Sequence, residues 1–266
     1  MLKGQKAKKS LGQHFLINKN IIEKIVLEAD IKSSDTIIEI GPGLGALTIK
    51  LAEKGGEIIA IEKDRRFIPL LKKTFKPFKN VEIIEGDALK FFPKIKNYKI
   101  VANIPYYITS PLLKHYLLDP FIKMEYAAPK LLLLLVQKEV AEKICAKEGK
   151  LNVLALNVQT FAKAKIIGIV KAGNFSPKPL VDSAIIKIAV YNKPLVRGDL
   201  KKYFDCIHAG FQSKRKNLLN ALSHNLKKDK NEIGKILKDA KIDSTRRAET
   251  LTIKEWANLT NEMLNL

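Results

Sequence analysis

The tetrapeptide Asn103-Ile104-Pro105-Tyr106 is the stretch of this sequence best suited to chemistry. An amino group on an aromatic ring is a weak nucleophile, because its lone pair is delocalised into the ring. If the Asn103 side-chain oxygen and the Ile104 carbonyl accept its two protons, the lone pair turns toward an electrophile, and positioning supplies most of the rate. No general base is required. Pro105 fixes φ and removes a competing donor, while Tyr106 offers a ring on which a base extruded from its stack can lie. A second aromatic, Phe175, opens the run Phe175-Ser-Pro-Lys-Pro-Leu-Val181, which two prolines stiffen. Phe175 is expected as the opposite wall of a base sandwich.

A glycine turn lies upstream. Thr36-Ile-Ile-Glu-Ile runs straight into Gly41, Gly43 and Gly45, with a helical pattern following. Positions without a Cβ let a ligand approach the backbone, and the helix start beyond offers unpaired N–H groups. The same spacing satisfies a dinucleotide fingerprint, so the turn alone fits either NAD or S-adenosylmethionine (SAM). Glu62, at the end of the next strand, is placed to accept from ribose hydroxyls of either cofactor. Two features favour SAM: Glu39 completes an E-x-G-x-G pattern, and Asp87, with its neighbour Ala88, follows the third strand where a carboxylate can accept from an adenine amino group. Capping of the next helix is the structural alternative for Asp87.

These residues require strand ends to carry them. Short β-branched runs at 36–40, 58–62, 81–85, 99–102, 131–136, 166–170 and 184–190 alternate with helical periods at 46–53, 64–75, 110–118 and 138–146. This alternation predicts an α/β fold, a doubly wound and mostly parallel seven-stranded sheet. After Asn192 the β-branched runs stop, and the texture predicts a small helical domain over residues 192–266, leaving residues 1–191 as the catalytic domain.

The chain carries 48 Lys and Arg against 27 Asp and Glu, a net charge of +21, which points to a polyanionic partner. The charge is spread, +7 over residues 192–266 and +14 over the rest, with a local cluster at Lys214, Arg215 and Lys216. The longest apolar run, 131–136, is far short of a membrane span, and no apolar stretch follows the basic start as a secretory signal would need. Two cysteines with no metal-ligand spacing suit a reducing compartment, so a cytoplasmic, metal-free monomer is expected.

The sequence resembles the KsgA-type small-subunit (16S) rRNA adenine N6,N6-dimethyltransferases. The matching segments are Lys9-Ser-Leu-Gly-Gln-His-Phe-Leu16, Ile38-Glu-Ile-Gly-Pro-Gly-Leu-Gly45, Glu62, Glu85-Gly-Asp87, Asn103-Ile-Pro-Tyr-Tyr-Ile-Thr109, Gln137-Lys-Glu-Val140, Phe175-x-Pro-x-Pro-x-Val181 and Arg247-Ala-Glu249. The resemblance implies a Rossmann-like domain that dimethylates two adjacent adenosines in the 3′-terminal hairpin of 16S rRNA, with SAM as donor, late in small-subunit biogenesis. It implies cofactor contacts at His14, Leu16, Gly41, Glu62, Asp87 and Asn103, with Gly43 and Ala88 beside them. RNA contacts are implied at Lys8, Lys9, Lys214, Arg215 and Lys216. Ile104 stands where leucine is usual, and Asn152 departs from the family's pattern. Two alternatives remain: Erm-type enzymes, which modify one adenine of large-subunit rRNA, and a non-catalytic nucleic-acid-binding factor on the same fold.

Overall fold

The structure, a computed structural model, describes residues 8, 12–213 and 215–264. Among the described residues nine strands occur in chain order: β1 (Phe15–Leu16), β2 (Thr36–Ile40), β3 (Glu57–Glu62), β4 (Val81–Glu85), β5 (Tyr98–Asn103), β6 (Leu131–Gln137), β7 (Ala162–Val170), β8 (Phe175–Ser176) and β9 (Ser183–Val190). Seven form one sheet in the order β4-β3-β2-β5-β6-β9-β7. The pairs β3–β4, β2–β3, β2–β5 and β5–β6 are parallel, and β9 runs antiparallel to β6. The seven-stranded expectation is met, with β7 beginning four residues earlier than its apolar run.

The inner strands are apolar on both faces because helices cover both. Ile37, Ile38, Ile100, Val101, Leu132 and Leu133 are all fully buried. Successive strands step from β2 out to β4, then return across β2 to β5. The chain therefore reverses direction between β2 and β5, and the crevice beyond their carboxyl ends is where a doubly wound sheet binds ligands. Gly41 follows β2 and Asn103 closes β5, so both residues lie at that crevice.

Helix α1 (Lys19–Ala29) was not foreseen, although its signals are present. Asn18 caps it, its side chain accepting from the Asn20 and Ile21 N–H groups, and Ile22, Ile25, Val26 and Ala29 form its buried stripe. α2 (Ala46–Ala52) follows the glycine turn, and α3 (Ile68–Phe75) starts four residues later than its predicted span. The predicted helix 110–118 is instead α4 (Thr109–Leu113), a π turn (Lys114–Leu118) and α5 (Asp119–Lys123). α6 (Lys138–Ile144) follows β6.

Packing divides the chain into two units, one of residues up to 141 plus 163–190, the other of 142–162 plus 191–266. The second crossing falls between Val190 and Tyr191, one residue before the end of the expected catalytic domain. Residues 142–162, expected with the sheet, belong to the helical unit, because α7 (Val153–Gln159) packs on α8 (Leu200–Gln212). α9 (Leu218–Leu226), α10 (Lys230–Asp239) and α11 (Ile253–Leu264) complete that unit around the fully buried Trp256. Gly210 is required there: a Cβ on it would lie 2.5 Å from the Trp256 ring. Asn152, the departure noted above, caps α7 by accepting from Ala155 N–H at 3.0 Å and donates to the Lys143 carbonyl at 2.9 Å. Among the described residues, no helix is long and apolar enough to cross a membrane.

Candidate active site

Gly41, Gly43, Glu62, Asp87, Asn103 and Tyr106 line one cavity of about 150 Å³. On its other side, Gly41 and Asn103 also line a groove of about 660 Å³ with Leu16 and Glu39. Three sheet loops and the segment before β1 thus converge on the glycine turn.

Glu62 organises that turn. Its carboxylate is buried, accepting from Gly43 N–H at 3.0 Å and from Asp64 N–H at 2.7 Å. Burial raises its pKa, and those two N–H bonds counter the rise in part. Gly43 is held at φ +57°, and a Cβ there would meet the Phe15 ring at 2.9 Å, so the position admits only glycine without displacing Phe15. Asp87 Oδ1 accepts from Leu89 N–H at 3.0 Å and Oδ2 from Lys63 Nζ at 2.8 Å. Burial alone would raise this carboxyl, but the Lys63 ammonium and the Leu89 N–H outweigh it and hold it below its ordinary value. Asp87 is therefore both a cap and a charged acceptor at the cavity wall.

Asn103 is the best-defined member. Its Nδ2 donates to the His14 main-chain carbonyl at 2.9 Å. That bond fixes the amide's orientation and leaves Oδ1 as an acceptor; among the described residues no donor meets it. The ring of Tyr106 lies against that of His14, with centroids 5.8 Å apart and planes 21° from parallel, and its hydroxyl bonds Ser183 Oγ at 2.6 Å. The segment before β1 is itself tied down. β1 pairs antiparallel with β8, with Leu16 opposite Phe175; His14 Nδ1–H donates to the Pro177 carbonyl at 2.7 Å, and Gln13 Nε2 donates to Asp64 at 3.0 Å.

The profile described as ribosomal RNA adenine dimethylase matches residues 4–261. The ribosomal RNA small subunit methyltransferase A of Dehalococcoides mccartyi is 42% identical over 260 residues, covering 96% of this chain and 87% of that protein. The chain belongs to the ribosomal RNA adenine dimethylase family. Among solved structures, a dimethyladenosine transferase from Plasmodium falciparum superposes with a TM-score of 0.79 at 31% identity, covering 95% of this chain and 98% of that one. The 23S rRNA methyltransferase ErmE shares the fold, with a TM-score of 0.74 at 24% identity over 93% of this chain and 98% of its own.

Against this dimethylase frame, several expected residues converge and others do not. His14, Gly41, Gly43, Glu62, Asp87, Ala88, Asn103, Ile104, Pro105 and Tyr106 all line the cavity, and Leu16 lines the neighbouring groove. Phe175, expected as the opposite wall of a base sandwich, does not line the cavity. It is 3% exposed and packs in the core with Leu16, Ile22 and Val26, because the β1–β8 pairing turns it inward. The aromatic side chain that is exposed at the cavity is Tyr107, 57% exposed, packed against Gly12. The His14 ring engages Pro177, and its main chain orients Asn103, a role that no side-chain pattern announces. Lys8, Arg215 and Lys216 are exposed, while Lys9 and Lys214 fall outside the described residues.

Glu39, which the sequence marks only by its spacing from Gly41, is the most constrained group here. It is 2% exposed, and its Oε2 has no hydrogen-bond partner although it lines the groove. Burial, reinforced by the nearby Glu62, pushes its carboxyl up to about 8. Unfolded, it titrates near 4.5, so between those values the folded chain holds a proton that the unfolded chain has lost, and stability falls as pH rises. Glu39→Gln is expected to remove that fall, a relative gain on the order of 3 kcal/mol at neutral pH. Unfolding midpoints of both chains between pH 5 and 9 check this; parallel curves would refute it.

Proposed function

We propose that this enzyme transfers methyl groups from SAM to N6 of two adjacent adenosines in the 3′-terminal hairpin of small-subunit (16S) rRNA. We place it in the cytoplasm, working as a monomer during late subunit assembly. The orientation of Asn103, with Nδ2 consumed by His14 and Oδ1 left as acceptor on the cavity, is the observation that carries this reading.

The cavity suits SAM by its donor and acceptor set. Glu62 and Asp87 offer carboxylate oxygens for ribose hydroxyls and an adenine amino group, and the turn at Gly41 is open to close approach. The unpartnered Oε2 of Glu39 leaves one polar atom free for a hydrogen-bonding group in the adjoining groove. SAM supplies there an electrophilic methyl on its sulfonium. Asn103 Oδ1 and the Ile104 carbonyl would accept hydrogen bonds from the N6–H groups, so that the amine lone pair faces the methyl; as the N–C bond forms the S–C bond breaks, S-adenosylhomocysteine leaves, the cationic N6 releases a proton to water, and Tyr106 supports the extruded base. Pro105 presents no N–H to compete for the acceptors.

Small-subunit rRNA is favoured over the large subunit because the relative at 42% identity is a small-subunit enzyme, whereas the likeness to ErmE extends to the fold. The deciding experiment incubates the protein with methyl-labelled SAM and unmodified small and large subunits, then assays N6,N6-dimethyladenosine. Label in two adjacent small-subunit adenosines is expected; label confined to the large subunit would refute the reading.

RNA is held in this proposal by exposed cations, with Arg215 and Lys216 on the helical unit between α8 and α9. Replacing Lys214, Arg215 and Lys216 together with alanine is expected to weaken RNA binding. It should also flatten the salt dependence by about 0.7 to 0.9 log units of slope per lost phosphate contact. An unchanged slope in binding titrations across salt would show the cluster to be only a solvated surface.

A further inference from the structure

Asp87 and Ala88 open a short 3-10 turn, Ala88–Lys90, and behind it stands the π turn Lys114–Leu118. Isolated π turns cost hydrogen-bond geometry and are found mostly at functional places. This one puts two consecutive side chains onto the Asp87 loop. The fully buried Tyr116 donates from its hydroxyl to the Ala88 carbonyl at 2.7 Å. His115 Nε2–H donates to the Phe91 carbonyl at 2.8 Å, and Tyr126 braces it by donating to the His115 carbonyl at 2.6 Å. None of these three side chains lines the cofactor cavity. Burial, with smaller contributions from Tyr126 and Asp87, pushes the Tyr116 phenol well up, so it is a neutral donor at every working pH.

We infer that this π turn is a specificity device: by pinning the carbonyls of Ala88 and Phe91, Tyr116 and His115 fix the reach of the Asp87 carboxylate and so set the preference for a 6-amino over a 6-oxo purine in the cofactor. This rests on the proposed reading of Asp87 as the acceptor for the adenine amino group. Tyr116 is a positioning residue. Its hydroxyl is separable from the fold, because the Ala88 carbonyl also accepts from Phe91 N–H at 3.3 Å and is not orphaned when the phenol is lost.

The test measures binding of S-adenosylhomocysteine and S-inosylhomocysteine by calorimetry, together with KM and kcat for SAM. A site built around an amino group should favour the adenosine compound by about 100-fold in the wild-type chain. Tyr116→Phe should narrow that ratio about tenfold and raise KM for SAM, with kcat at saturating SAM within about twofold. On an Asp87→Asn background, Tyr116→Phe should change the ratio no further. Tyr126→Phe, one step further back, should narrow it in the same direction, and it carries the test should Tyr116→Phe lose its fold. A wild-type ratio in both tyrosine variants, or an equal loss on the Asp87→Asn background, overturns the proposal. A wild-type chain indifferent to the purine 6-substituent, or one whose preference survives Asp87→Asn, overturns the underlying reading of Asp87 and the proposal with it.

Discussion

Asn103→Ala should lower kcat for methyl transfer by on the order of a thousandfold while leaving RNA affinity within about twofold. The two effects separate because binding is dominated by cations facing phosphates, whereas Asn103 acts on one amino group. Truncation removes the Oδ1 acceptor and also the Nδ2 donor that meets the His14 carbonyl at 2.9 Å. Asn103→Asp distinguishes these losses. Its carboxylate keeps an acceptor of the same shape but sets a second oxygen against the His14 carbonyl, so the group must rotate or repel the segment before β1. Asn103→Asp is therefore expected to fail nearly as badly as the alanine variant, with a weakened affinity for SAM in addition. Single-turnover assays with saturating RNA measure the first effect and calorimetry the second. An alanine variant that keeps a tenth of wild-type turnover would refute the mechanism.

Glu62→Ala has the second large effect, and it falls on cofactor binding and fold together. The carboxylate satisfies two backbone donors, Gly43 N–H at 3.0 Å and Asp64 N–H at 2.7 Å. Removing it leaves both without their acceptor, at about 1–3 kcal/mol each. The glycine turn then loses the bond that shapes it, and SAM loses the ribose acceptor proposed for it. Affinity for S-adenosylhomocysteine should drop by about 100-fold or more, and the thermal midpoint should fall. Glu62→Gln keeps one acceptor oxygen and should lie between the two. An alanine variant that binds within about threefold of wild type would remove Glu62 from the cofactor site.

The sheet was legible because strands covered on both faces must be apolar throughout, and runs such as Leu131–Gln137 stand out for that reason. That the glycine turn and the tetrapeptide face one crevice follows from a doubly wound sheet, whereas the order of the strands is seen only in the structure. What stayed hidden was of two kinds. β1 and β8 are two residues long, too short for any period, yet their pairing turns Phe175 inward and holds His14 beside Asn103. Main-chain roles were the other kind, since the His14 carbonyl acts through a group that every residue carries. The π turn was invisible for a related reason: its side chains fit a continuous helical period, and only the tertiary partners at Ala88 and Phe91 reveal the shift in register. α1, by contrast, is signalled in the sequence by Asn18 and the spacing of Ile22, Ile25 and Val26.

The hydrogen bond from His14 to Pro177 spans 163 positions of sequence. Synthesis releases the amino end first, so the glycine turn, the tetrapeptide and the segment that will face them all leave the ribosome well before Pro177 and the β8 partner exist. A nascent chain therefore carries an unfinished cofactor site through most of its translation, and the last pieces arrive just ahead of β9.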